Sequence, residues 1–235
     1  MVTNTSVVRP RVLFLDFDGP LFSELAISFD PRNGKRDQEP YIKMNKWGQQ
    51  AFPNMGLRFS YLYMDPSSVG MLNKLHELHK YTTVISSTWA EFCTKEMVEY
   101  LFSLNGLELD LHDDWSLYTA PDPLSSSPYY SGRGSADRAA YAAYWLARHY
   151  PDQQVDWLAL DDRYSGRSYL NPTRLSQLFQ PSFGVTPDER VIMVPESTGM
   201  HFEHYSRMSD MWSSQDQDQL SQPSATKGVS NGLDF

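Results

Sequence analysis

Two aspartates, Asp16 and Asp18, stand two residues apart at the end of a short apolar run, Val12 to Leu15. In extended backbone that spacing turns both side chains to the same side. Neighbouring carboxylates repel, so such a pair favours a bound cation or one shared proton. A second acidic pair, Asp161 and Asp162, closes another apolar run, Val155 to Leu160. Together the four acids form an all-oxygen set of hard ligands. That set suits Mg²⁺, which keeps several waters and bridges carboxylate to phosphate oxygens. A carboxylate can attack phosphorus directly and form an aspartyl-phosphate. A metal ion lowers the repulsion between that anionic nucleophile and an anionic substrate. The second carboxylate can protonate the leaving oxygen, then take a proton from the water that hydrolyses the intermediate. A third apolar run, Tyr81 to Ile85, ends in Ser86-Ser87-Thr88, hydroxyls suited to capping a helix and to binding an anion there.

For these residues to act together, elements far apart in sequence must end at one place. The runs ending in Asp16 and Asp161 are continuous rather than alternating, as in strands buried on both faces of a parallel sheet. In open α/β sheets the ligand crevice lies at the carboxyl ends of the strands. Helix signals alternate with the strands. Asp65-Pro66-Ser67 opens a helix with Val69, Leu72, Leu75 and Leu78 on one stripe. A helix over Glu91 to Leu104 stops at Asn105-Gly106. The alanine-rich stretch Ser135 to His149 is a third helix, and Met200 to Met211 a last one. Leu107 to Leu111 reads as a short third strand and Arg190 to Val194 as the last. The expected fold is a three-layer α/β/α, Rossmann-like open parallel sheet.

Residues 28–63 break this rhythm with Pro31, Gly34, Pro40, Gly48, Pro53 and Gly56, and read as a flap or small cap inserted after the first strand. From Ser213 to Phe235 the composition turns to Ser, Gln, Asp and Gly, so one domain over 1–212 and a disordered tail over 213–235 are expected. The 235 residues carry a formal net charge of -9, which argues against a general nucleic-acid coat protein. A single cysteine, Cys93, excludes an internal disulfide and reads as a buried small hydrophobe. No apolar run approaches the roughly 20 residues that span a bilayer, so no membrane partner and a cytoplasmic location are expected.

The run VLFLDFDGPLF resembles the first signature of the haloacid dehalogenase-like (HAD) hydrolases, TTVISSTW the second and WLALDDR the fourth. The resemblance spans roughly residues 10 to 210. The Ser-x-Trp pattern at Ser87 and Trp89 and the segment VPESTGM are similar to small HAD phosphatase domains of RNA-repair and phage proteins. It implies that Asp16 is nucleophile and metal ligand, and that Asp18 is the acid/base and offers its carbonyl to Mg²⁺. Family members that dehalogenate lack this second acid, so Asp18 points to phosphoryl chemistry. The resemblance further implies Ser87, with Ser86 as alternative, for the phosphate-binding hydroxyl, Gly19 beside the substrate, and Asp162 with Asp161 at the metal. The third signature departs: no lysine lies between Lys95 and Lys227, and Arg138, with Arg133 as second candidate, takes its place. The missing lysine motivates the alternative of a non-catalytic binding module, and the resemblance also leaves open a phosphotransferase, as this superfamily contains.

Elsewhere, His112-Asp113-Asp114 reads as a solvated turn and Gly132-Arg133-Gly134 lacks the third glycine of a dinucleotide fingerprint. The 28–63 insert interleaves Arg32, Lys35, Arg36, Lys43, Lys46 and Arg58 with seven aromatic residues. A positive, aromatic flap can steer a phosphate and stack a base. The expected partner is therefore a phosphorylated small molecule or nucleotide, with a nucleic-acid end as the extension.

Overall fold

β1, Arg11–Leu15, runs through the middle of the molecule, and its alternate side chains enter two different cores. Leu13 and Leu15 pack on one face of the sheet, Val12 and Phe14 on the other. That is why the run is uniformly apolar: both faces are covered by other elements. The computed structural model describes residues 9–56, 58–118, 138–151, 155–162 and 190–221. Within them β2 (Thr82–Ile85) and β4 (Asp156–Asp161) flank β1, β3 (Asp110–Ser116) lies outside β2, and β5 (Val191–Met193) outside β4. All four pairings are parallel, in the order β3-β2-β1-β4-β5. Connections leave β1 toward β2 on one side, and β4 lies on the other. The strand order reverses there, and a crevice opens beyond the carboxyl ends.

One face is covered by α3 (Pro66–His79), α4 (Lys95–Asn105) and α6 (Phe202–Ser221), with α2 (Glu39–Ala51) adding to the same core. The other is covered by α5 (Arg138–His149), whose Tyr141, Ala142, Trp145 and Leu146 meet Val12, Phe14, Trp157 and Ala159. Phe14 sits edge-to-face against Trp145 and Trp157, with ring centroids 5.7 and 6.1 Å away. The architecture is a three-layer α/β/α sandwich.

Several boundaries differ from the sequence expectation. In α3 the N-cap Asp65 accepts from the Ser67 amide at 2.8 Å as expected, but the buried stripe ends at His79, and Leu78 is 52 % exposed. His79 belongs inside because its carbonyl accepts from Arg11 and its ring meets the Ser209 hydroxyl. The helix expected over 91–104 is two pieces, a 3₁₀ turn at Thr88–Glu91 and α4, because Thr94 caps α4 afresh. Gly106 closes α4 in the left-handed region, at φ 66°. The Leu107 amide then bonds back to the Phe102 carbonyl. Leu107 is therefore spent on the helix end, and β3 begins later, at Asp110. His112, Asp113 and Asp114 consequently lie in this edge strand and not in a turn. Asp114 meets His149 at 2.9 Å, and the His112 ring packs on Trp145.

The 28–63 insert holds α2, which its irregular composition conceals. Tyr41, Met44, Phe59, Leu62 and Tyr63 from this insert all join the main core. Its return limb forms no sheet, so its backbone amides need other partners. Three asparagines supply them: Asn45 accepts from the Phe59 amide at 2.9 Å, Asn33 from Leu62 and Tyr63 at 3.1 Å, and Asn105 from Met64 at 2.8 Å. Cys93 is buried, and burial pushes its thiol up to about 12, so it packs as a small hydrophobe. At the other end α6 runs on to Ser221, past the boundary expected at 212, since no proline or glycine interrupts it before Pro223. No helix among the described residues is long and apolar enough to cross a membrane.

Candidate active site

The strand register brings the sequence-predicted residues into one row. Leu15 pairs with Ile85 on β2 and with Leu160 on β4, so the next residues, Ser86, Asp16 and Asp161, follow side by side across three strands. The ladder continues through them: the Asp16 amide donates to the Leu160 carbonyl and the Ser86 amide to the Leu15 carbonyl, both at 2.9 Å. Asp16, Asp161 and Asp162 each place one carboxylate oxygen within 4.8 Å of the others, and all three are buried. Asp18, half-buried, sits beside this cluster.

Burial and then the Asp16 carboxylate raise the pKa of Asp161 well above the usual carboxylate range. Arg138 opposes this. Its Nη1 donates to Asp16 Oδ2 and to Asp161 Oδ1, the latter at 2.5 Å, and its side chain is 3 % exposed. Burial alone would lower the Arg138 pKa, but the two carboxylates overcome that and raise it. Of the two arginines the sequence offers, Arg138 reaches the acids, and Arg133 lies outside the described residues. Asp16 Oδ1 accepts from the Phe17 amide, and Asp161 Oδ1 accepts a second bond from the Asp162 amide, each at 2.8 Å. Asp161 Oδ2 is buried and meets no donor among the described residues. Among the described residues one guanidinium faces both Asp16 and Asp161, and the orphaned oxygen of Asp161 is a place where a further cation would be favoured. The donor set is all hard oxygen, which fits a divalent cation of the magnesium type.

Burial, followed by the Asp16 charge, raises Asp18 to about 6. Hydrogen bonds from the Tyr61 hydroxyl, at 3.2 Å, and from Trp89 pull the other way. Asp18 can therefore hold or release a proton near neutrality, as an acid/base group must. Sequence reasoning missed both partners. Tyr61 was signalled only by the density of aromatic residues in the insert, and Trp89 only by the Ser-x-Trp pattern, which does not tie it to Asp18. Glu196 was missed too. Its pKa is raised by burial and then by Asp162, and the Pro195–Gly199 turn that carries it braces α1 (Glu24–Phe29) through a bond from the Glu24 amide to the Glu196 carbonyl.

Ser86 and Ser87 are both buried but differ in state. The Ser87 side chain caps the Thr88–Glu91 turn, accepting from the Trp89 amide, whereas the Ser86 hydroxyl has no partner among the described residues. Gly19 turns the chain back with φ +81°, and a Cβ there would stand 2.9 Å from Asp162 Cβ and 3.2 Å from the Val194 carbonyl. Gly19→Ala should thus push against a cluster aspartate and strain the backbone. The expected result is a loss of about 1–3 kcal/mol in denaturant titrations; unchanged stability would mean the turn is not tight.

An open parallel sheet whose central strands end in this acidic cluster, with a serine row-mate on the neighbouring strand, defines a HAD-like α/β protein. The chain belongs to the family described as the HAD domain in Swiss Army Knife RNA repair proteins, which matches residues 12–199. No curated protein and no solved structure matches the chain.

Proposed function

We propose that this protein is a magnesium-dependent phosphatase that hydrolyses a phosphomonoester through an aspartyl-phosphate, on a nucleotide or a nucleic-acid end. The observation that carries the reading is the buried cluster of Asp16, Asp161 and Asp162 at the ends of β1 and β4, with Asp18 beside it. Asp16, Asp161 and Asp162 would hold Mg²⁺ through carboxylates and Asp18 through its main-chain carbonyl, as the sequence resemblance implies. When bound, the ion would offset the negative charge shared by the phosphoryl oxygens and these acids.

The chain's own groups account for the rest. Asp16 attacks phosphorus with a carboxylate oxygen, and the bond from phosphorus to the leaving oxygen breaks. Asp18 in its protonated form delivers its proton to that oxygen, and its depressed acidity supports this role. Water then attacks phosphorus, Asp18 takes the water's proton, and Asp16 is released as a carboxylate. Arg138 pairs with Asp16 and Asp161 through a single nitrogen, Nη1, and holds Asp16 in place as the family's lysine would. The unpartnered hydroxyl favours Ser86 over Ser87 as the phosphate donor. The Gly19 turn keeps the chain close to Asp162 at the substrate's side.

The family's description, RNA repair proteins, supports the nucleotide or nucleic-acid-end substrate. The binding-module alternative drew on the missing lysine, and Arg138 already supplies a cation at that place. Purified protein should release phosphate from a generic aryl phosphate with Mg²⁺, and chelation should stop it. Absence of turnover together with no binding of beryllium trifluoride, a phosphoryl mimic, would overturn the reading. New phosphoesters formed on added alcohols or nucleosides would instead mark a phosphotransferase.

A further inference from the structure

A cavity of about 250 Å³ is walled by Phe59 and Tyr61 of the insert's return limb and by Trp89 and Phe92 after β2. Tyr61 and Trp89 are the same two side chains that hydrogen-bond Asp18. A proton donor must face the leaving oxygen, so whatever is bonded to that oxygen extends into the space beyond the donor. We infer that this cavity is a base-binding subsite, which seats the nucleobase of the departing nucleoside between the insert and the Thr88–Phe92 segment. The inference rests on the phosphatase reading for its orientation and adds the part of the substrate that the protein recognises.

Size, lining and rigidity each support a base. Clefts that enclose a whole drug-sized ligand measure about 300–1,000 Å³. This one is smaller, so it takes a single ring system and leaves the remainder outside. Four aromatic walls offer stacking, which for a base is sequence-tolerant. Ser60, Thr88 and Arg58 also line it, residues that carry polar groups suited to the edges of a base. A short aliphatic alcohol would use neither feature. The walls are already fixed: Trp89 stacks on Phe22 at 5.0 Å and 10°, and Asn45 pins the Phe59 amide. Such pre-organisation lowers the ordering cost of binding.

Calorimetric titration of the full chain with adenosine monophosphate, glycerol phosphate and adenosine tests this without relying on turnover. Adenosine monophosphate should bind more tightly than glycerol phosphate. Phe92→Ala should weaken adenosine monophosphate by about 5- to 150-fold, the range expected for losing one stacking partner, and leave glycerol phosphate binding and hydrolysis unchanged. Equal affinity for the two phosphates, or equal weakening of both in the variant, would overturn the subsite. If neither phosphate binds nor is hydrolysed, the phosphatase reading fails. Adenosine then decides the pocket separately: binding that Phe92→Ala removes supports it, and no binding refutes it. Arg58→Ala, at an exposed position, serves the same comparison should Phe92→Ala not fold.

Discussion

Asp16→Asn is expected to abolish metal-dependent phosphate release, with a loss on the order of 10⁴-fold or more, as for other nucleophiles that act within a unit. The substitution keeps the shape of the side chain and removes its charge. An amide oxygen is a far weaker nucleophile, and the cluster loses one of its three anionic ligands. The same change relieves a buried repulsion, since the Asp16 charge is a leading cause of the raised Asp161 pKa. Arg138 would still be paired with Asp161. Asp16→Asn should therefore fold normally, and circular dichroism with a thermal melt would separate lost chemistry from lost structure. A folded variant with normal turnover would remove Asp16 from the nucleophile's place and the mechanism with it.

Arg138→Met should have the largest effect on stability. The guanidinium is buried and bridges Asp16 and Asp161. Replacing it with an apolar side chain of similar length leaves two buried carboxylates facing each other without a cation. Breaking one partner out of a buried ionic group costs about 3–5 kcal/mol. For a chain of this size about 2–4 °C of melting temperature follows each kcal/mol, so the midpoint should fall by roughly 6–20 °C. Arg138→Lys should recover part of the loss, as it restores the positive charge but not the planar guanidinium that places Nη1 between the two carboxylates. Added Mg²⁺ should also restore part of it, because a cation that binds only the folded cluster stabilises by mass action. A melting temperature unchanged in Arg138→Met would show that the bridge contributes nothing.

The central strands were legible because burial on both faces writes a plain signal, an uninterrupted apolar run, and because each run ends in acids or hydroxyls. β3 was misplaced for the opposite reason. It is an edge strand, with only Trp115 and Ser116 of its residues buried, so its sequence, DLHDDWS, carries little apolar pattern. α2 was hidden because lysines and a glycine share its turns with Tyr41 and Met44, and its packing partners are distant in sequence. Pro40 near its start was a usable helix signal. The acids of the site were readable from spacing and motif, and Arg138 was the first of two arginines offered for their cation. Its bridge between Asp16 and Asp161 was not readable, because it depends on the placement of α5 against the strand ends. Tyr61 and Trp89 show the same limit. Nothing local marks a tyrosine whose hydroxyl is aimed at Asp18 by asparagines reaching across from α2 and α4.

The family match ends at residue 199, yet the hydrophobic interior does not close there. Trp212 of α6 is fully buried against the rings of Tyr81 and His79, Met208 is buried beside it, and Arg11 at the start of β1 grips the Trp212 and His79 carbonyls. A fragment trimmed to the matched span would bare that aromatic seam and strip the first strand of its anchor. The smallest autonomous unit of this protein is thus longer than its evolutionary signature, and shortened versions made for assay should keep the helix through at least Trp212.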